Sequence, residues 1–295
     1  MAVVSAMMSG IVDYAGLFPP SQVAMQEAVV NYAAYKHSNY AWMLGRFVVP
    51  AARLGEFWDS ARELAGNTVE DPWRLAVLAG EDIQETIRTV KAFNAERSDS
   101  AVCDVLEVRA NSESKIENTV KSLPEGVTAY FEIAADDKLP DLVSALAIRG
   151  QRAKMRTGGI TSDAFPNSSE VVRFVRTCTA ANVPFKATAG LHHPIRCYRP
   201  LTYAEDAPKG TMHGFLNLLM MTGFARQSYR VSLLEEIMEE EFAEAFWVRA
   251  NGIGWRNDNF LSLSQIDLLR QAGFNSFGSC SFDEPIADLR TLGLL

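Results

Sequence analysis

The chain has 295 residues, of which 48% are hydrophobic and 22% charged, with a formal net charge of −8. That balance supports one large buried core or two small ones, and the surplus of acid excludes a nucleic-acid surface, which draws on clustered Lys and Arg. Four cysteines (Cys103, Cys178, Cys197 and Cys280) form no CxxC pair, and no signal-peptide pattern or apolar run of about 18 residues is present, so the expectation is a cytoplasmic protein with reduced thiols and no membrane partner.

In chain order, a first strand over Gly10 to Tyr14 ends in a loop rich in Gly and Pro, and Ser21 is placed to cap a helix with Met25, Ala28, Val29 and Tyr32 on one face. Strand Trp42 to Val49 leads through Pro50 into a helix reaching about Ala65. Strands at Arg74 to Ala79, Val102 to Arg109 and Val127 to Ile133 are each followed by apolar residues at helical spacing. A sixth strand carries Lys154 and breaks at Gly158-Gly159; the helix after it is given Ser168 or Ser169 as its cap. A seventh, carrying Lys186, breaks at Gly190. Leu191 to Gly273 then forms a long insertion with a Met-rich helix around Thr211 to Arg226, an acidic helix around Leu233 to Phe242 and a hairpin through Phe246 to Phe260. Ser262 to Gln265 is a capping box, and Phe274 to Ser281 supplies an eighth strand.

Eight strand-then-helix units predict an α/β fold, a single (β/α)₈ TIM barrel over residues 1–295, with residues 191–273 folding over the C-terminal mouth as a lid. A doubly wound open sheet competes, but no GxGxxG fingerprint is present. In a (β/α)₈ barrel the active site lies at the C-terminal ends of the strands. This directs attention to Asp13, Arg46, Glu107, Arg109, Glu132, Lys154, Arg156, Lys186, Thr188 and residues 279–281. Period-2 alternation puts Cys103, Val105, Glu107 and Arg109 on one face of strand four, Lys154 and Arg156 on one face of strand six, and Lys186 and Thr188 on one face of strand seven. Three cations converging below two glycine breaks require either an anion or a lysine that gives up its proton. A neutral lysine is a nucleophile that forms an iminium with a carbonyl compound, and a carboxylate, with Glu107 first in line, shuttles the protons. The same residues also read as an internal ion-pair network without chemistry.

These motifs resemble deoxyribose-phosphate aldolase and the related class I, Schiff-base aldolase barrels. The strand-six motif K-T-S-T-G-F of that family is similar to Lys154-Met-Arg156-Thr157-Gly158-Gly159, its strand-seven lysine motif to Lys186-Ala-Thr188-Ala-Gly190-Leu191, and its strand-four acidic segment to Asp104-Val-Leu-Glu107-Val-Arg109-Ala-Asn111. Glu132 and Phe277-Gly278-Ser279-Cys280-Ser281 correspond more loosely to strands five and eight. The resemblance implies that Lys154 forms the Schiff base, Lys186 tunes it and Glu107 moves protons. It also implies that Thr157, Gly158, Gly159, Gly190, Ser279 and Ser281 meet a substrate anion, with no cofactor and no metal.

Arg156 replaces a small residue of the motif, Glu107 replaces an aspartate, and the insertion brings His192, His193, Arg196 and Arg199 where the family has a short loop. A guanidinium grips carboxylates in bidentate fashion, so a keto acid fits as well as a sugar phosphate. The expected partner is a small anionic carbonyl substrate, and a homo-oligomer is left open. Two other readings stand beside the aldolase: a metal-assisted lyase or isomerase using Glu107, Glu132 and His192 or His193, and a barrel that binds a metabolite without turning it over.

Overall fold

The computed structural model describes residues 2–66 and 70–295. Seven strands come first: β1 (Val12–Tyr14), β2 (Leu44–Pro50), β3 (Trp73–Leu78), β4 (Ala101–Arg109), β5 (Thr128–Glu132), β6 (Arg152–Arg156) and β7 (Phe185–Thr188). Five short strands follow, β8 (Cys197–Pro200), β9 (Lys209–Met212), β10 (Phe246–Arg249), β11 (Gly252–Trp255) and β12 (Asn259–Ser262), and the last is β13 (Phe274–Ser279). Strands β1 to β7 and β13 close into one parallel barrel in the order β1-β13-β7-β6-β5-β4-β3-β2. This is the (β/α)₈ layout that eight strand–helix units require.

Helices α1 (Ala2–Met8), α2 (Met25–Lys36), α3 (Leu54–Ala61), α4 (Ile83–Arg97), α5 (Glu113–Val120), α6 (Leu139–Ile148) and α7 (Ser168–Ala180) precede the insertion. After it begins come α8 (Phe215–Arg226), α9 (Val231–Met238), α10 (Leu263–Ala272) and α11 (Asp283–Thr291). The outer helices turn apolar stripes to the barrel. On α7, Val171, Phe174, Val175 and Cys178 are fully buried, and Phe174 meets Phe185 of β7 edge to face, a geometry favoured by the ring quadrupoles.

Several local expectations are corrected. Helix α2 starts at Met25 after Ala24, without a side-chain cap, because the turn around Pro19 and Pro20 carries Ser21 away from the helix axis. Helix α7 is capped by Asn167, which forms a capping box with Glu170; Ser169 donates to the Asn167 side chain instead. Cys103 leaves the inner face of β4. The pairing of β3 with β4 shifts between Leu75 and Ala76, so that Leu75 faces Cys103 and Ala76 faces Val105. A bulge of this kind inserts one residue and reverses alternation across it. Cys103 therefore packs outward, where Asn94 of α4 bonds its N–H and C=O, and Asp104 turns inward to Arg46 and Arg74.

The insertion divides into two parts. Its first residues, through the β8–β9 hairpin, lie against the loops at the C-terminal ends of the barrel strands: Tyr203 reaches Cys280, and His213 donates to the Pro166 carbonyl at 2.7 Å. The remainder belongs to the wall. Phe215 of α8 stacks on Phe277 of β13 at 4.8 Å, α9 packs on α8 and α7, and the expected hairpin is a three-stranded antiparallel sheet, β10-β11-β12. Helix α1, which the periodicity reading did not include, packs on α10.

Candidate active site

The barrel interior has two chemically different halves. On the side of β2, β3 and β4 it is apolar, with Val48, Ala76, Val105 and the Tyr130 ring in one cluster, and Phe18 packed on it from the loop after β1. On the side of β1, β4, β5, β6 and β7 it is ionic. Lys154 and Lys186 are register partners on adjacent strands, as alternation from their sequence positions demands.

Neither lysine faces a surplus of cations. Lys154 Nζ lies 2.5 Å from Glu107 Oε2 and 2.8 Å from Glu132 Oε2. Lys186 Nζ lies 2.6 Å from Glu107 Oε1 and 2.6 Å from Asp13 Oδ2. The five groups form one line of alternating charge, Glu132, Lys154, Glu107, Lys186, Asp13, drawn from five strands. Asp13 is held at its end by the Ser276 hydroxyl at 2.8 Å and the Arg46 backbone N–H at 2.8 Å. Residue 45 must be glycine for this to fit, since a Cβ there would run into the Asp13 carboxylate. The Tyr130 ring supports Lys186 from below, its centroid 5.5 Å from Nζ, a distance at which a ring face attracts a cation.

Burial raises the proton affinity of Glu107, but Lys154 and Lys186 together outweigh it and hold the carboxyl at about 2. Burial pulls Lys186 down, and Asp13 and Glu107 outweigh it in turn, so its ammonium is held above the ordinary lysine value. Glu107 is thus a permanent anion that fixes both lysines. The line is asymmetric in access: Asp13 and Lys186 are 0% and 1% exposed, whereas the Glu132 side chain is 18% exposed.

Glu132 opens into a cavity of about 620 Å³ at the ends of β4, β5 and β6, lined by the cations Arg109, Lys115 and Arg156, by the carboxylates Asp163 and Glu170, and by Phe165 and Pro166. Arg109 Nε approaches Glu132 at 3.4 Å. Arg156, at the exposed end of β6, donates to the Gly158 carbonyl and so is turned away from Lys154 toward this cavity. The glycine breaks form a corner behind its Phe165 wall. Gly158 and Gly190 approach so closely that a Cβ on either would lie 2.9 Å from the other's Cα and closer still to the Phe165 ring. Thr157 bolts the corner together: its N–H donates to the Thr188 carbonyl, and its hydroxyl to the carbonyls of Thr188 and Ala189. Ala189 and Gly190 both have positive φ, +64° and +76°. Gly159 would meet Ala164 if it carried a Cβ.

Other predicted site residues lie elsewhere. Arg46 sits near the start of β2, where its guanidinium binds Asp104 at 2.7 and 2.8 Å, so it braces the N-terminal end of the barrel, opposite the cavity. Thr188 faces Gly278 across β7 and β13. Ser279 lies on the face of β13 opposite Ser276, and the Ser281 hydroxyl accepts the Glu284 N–H at the start of α11. His192 and His193 turn to carboxylates of α11: His192 Nδ1 lies 3.3 Å from Glu284 and His193 Nδ1 2.5 Å from Asp288. Neither pairs with Glu107 or Glu132, and among the described residues no group of three or more His, Cys, Asp or Glu side chains has an arrangement that could hold a metal ion. Lys115 and Ser276 are not found by sequence reasoning, whereas alternation along strand five sets Tyr130 on the same face as Glu132. Ser276 had a signal, two positions before Gly278 on one strand face; Lys115, on a helix, had none.

The geometry presents a fixed, buried amine next to a partly exposed carboxylate that opens into a cavity carrying three cations. Comparison with protein-family models and with curated proteins gives no match for this chain.

Proposed function

We propose that the protein is a Schiff-base lyase or aldolase acting on a small carbonyl compound that carries a carboxylate or phosphate, with Lys154 as the covalent amine. The observation that carries this reading is the alternating charge line with Lys154 at its open end, beneath Arg109, Lys115 and Arg156. An anion docked among those cations holds the carbonyl group of the same molecule beside Lys154. Glu132 then accepts a proton from Lys154, and the neutral amine attacks the carbonyl carbon, forming the C–N bond. Glu132 passes that proton to the alkoxide to give the carbinolamine, then takes a second proton from the nitrogen and delivers it to the hydroxyl, which leaves as water. The iminium takes up the electron pair of the carbon–carbon bond that breaks, while Glu132 accepts the proton of the β-hydroxyl as that fragment departs as a carbonyl compound.

In this reading Glu107, held near 2, keeps no proton at neutral pH and orients both lysines, and the shuttle passes to Glu132. Incubation with a panel of aldehydes, keto acids and sugar phosphates followed by borohydride is expected to add irreversible mass at Lys154. Lys154→Arg is expected to abolish the adduct with the fold retained, and Lys186→Arg to weaken it. Adduct confined to Lys186, or none at either lysine while ligands still bind, would overturn the assignment; the second outcome would leave a metabolite-binding barrel.

A further inference from the structure

A second ionic cluster stands at the barrel mouth, built from residues that the proposed reaction does not use. Cys280, directly after β13, is 6% exposed, and His192, from the loop after β7, is 8% exposed. Cys280 Sγ lies 3.8 Å from His192 Nδ1 and 3.7 Å from the Tyr203 hydroxyl of the β8–β9 hairpin. The same His192 nitrogen is 3.3 Å from Glu284 Oε2. Ser21, from the loop after β1, adds hydrogen bonds to the sulfur from its hydroxyl and its backbone. Three separate segments therefore turn hydrogen-bond donors toward one sulfur. Other titratable groups facing the cluster are Tyr14, close enough to feel the charge on Cys280, and His193, which acts on Glu284.

Such a shell selects the thiolate. Burial raises the proton affinity of the Cys280 thiol, but His192 and Ser21 outweigh it and leave it below the ordinary value. Burial lowers that of His192, and its partners Cys280 and Glu284 outweigh this and lift it to about 9. The contacts favour the carboxylate, imidazolium, thiolate form of the cluster over its neutral form. The other cysteines go the opposite way: burial pushes up Cys103 and Cys178, and it pushes Cys197 to about 11.

We propose that Cys280 is a modification site for small hydroperoxides, with His192 as its proton donor. At 6% exposure and in contact with the Tyr203 hydroxyl, the sulfur favours small electrophiles over bulky ones. The sulfur attacks one peroxide oxygen, the S–O bond forms and the O–O bond breaks. Sulfur is oxidised by two electrons to sulfenic acid, and the peroxide is reduced. The departing oxygen takes the imidazolium proton and leaves as water or alcohol, while Tyr203 and Ser21 stabilise the charge that develops on it. The proposal is independent of Schiff-base chemistry at Lys154.

The test exposes the full-length protein to limiting hydrogen peroxide, quenches with catalase, and alkylates all remaining thiols with iodoacetamide in denaturant. Peptide mapping then gives the rate at which each cysteine is lost. Cys280 is expected to be lost about tenfold or more faster than Cys197 at pH 7, because its partners favour the thiolate whereas burial holds Cys197 as the thiol. His192→Gln is expected to remove that advantage, and Glu284→Gln to reduce it. Loss of Cys280 no faster than Cys197 in the wild-type protein overturns the proposal without recourse to any variant. An unchanged rate in a folded His192→Gln protein removes the imidazolium from it.

Discussion

Glu107 uses both of its carboxylate oxygens, one on each lysine, at 2.5 and 2.6 Å, and among the described residues no other carboxylate pairs with both lysines. Replacing it with Gln preserves the volume but strips one anion from each of two buried ammonium groups. Breaking a buried pair in this way costs about 3–5 kcal/mol, because the abandoned charge stays desolvated. Glu107→Gln is therefore expected to lose about that much in urea unfolding at pH 7, and a loss within 1 kcal/mol of zero would mean that water already screens the line. Glu132→Gln is the contrasting variant. Its carboxylate is partly solvated, so its removal is expected to cost less stability than Glu107→Gln yet to suppress borohydride trapping at Lys154, because the proton acceptor is gone. A stable Glu132→Gln protein that traps at the wild-type rate would return the shuttle to another group.

The loop after β7 is the element whose backbone is under most constraint. Ala189 stands at φ +64° immediately before Gly190 at +76°, and the left-handed region disfavours a residue with a Cβ by about 1 kcal/mol. Ala189→Gly relieves this and is expected to be neutral or to raise the urea midpoint slightly. Gly190→Ala is expected to destabilise strongly and to disturb the cavity, because its Cβ would press on Phe165 and on the Gly158 Cα. Comparable unfolding curves for the two variants would show that the corner is looser than its contacts imply. The sequence discloses this corner well, since two glycine breaks on consecutive strands announce a close backbone approach, and alternation correctly sets Lys154 beside Lys186. What it conceals depends on long-range closure. Asp13 and Ser276 meet Lys186 only because β13 lies between β1 and β7, so three carboxylates arrive where local reading counted three cations. A one-residue bulge exchanges Cys103 for Asp104 on the inner face, and no pattern of apolar residues marks its position. Ser21, four residues ahead of an apolar helical stripe that starts at Met25, has the composition of a cap, and only the folded loop gives it to Cys280.

Across the whole molecule, the charge line ties the stability of the barrel to pH at both extremes, because its members come from five of the eight strands. Glu107 titrates at about 2 in the fold against an ordinary 4.5. Its contribution is therefore fully present above about pH 4.5 and is lost as pH falls from there toward 2. A difference of that size corresponds to about 3 kcal/mol. Lys186 has the opposite sign: raised above its ordinary 10.5, it contributes stability that is complete below that pH and lost as pH climbs through its folded value. Urea unfolding followed from pH 7 down to 2 is thus expected to show stability falling steepest below pH 4.5. Asp104, which is desolvated but held down by Arg46 and Arg74, adds a limb of the same sign, so removing Glu107 does not flatten the curve. The Glu107→Gln protein is expected to start lower at pH 7 and to descend with a shallower slope, its deficit relative to wild type shrinking by about 3 kcal/mol by pH 2. If the two curves instead run parallel through that window, the proton taken up on acid unfolding belongs to carboxylates outside the line, and Glu107 is held by its neighbours without holding the barrel.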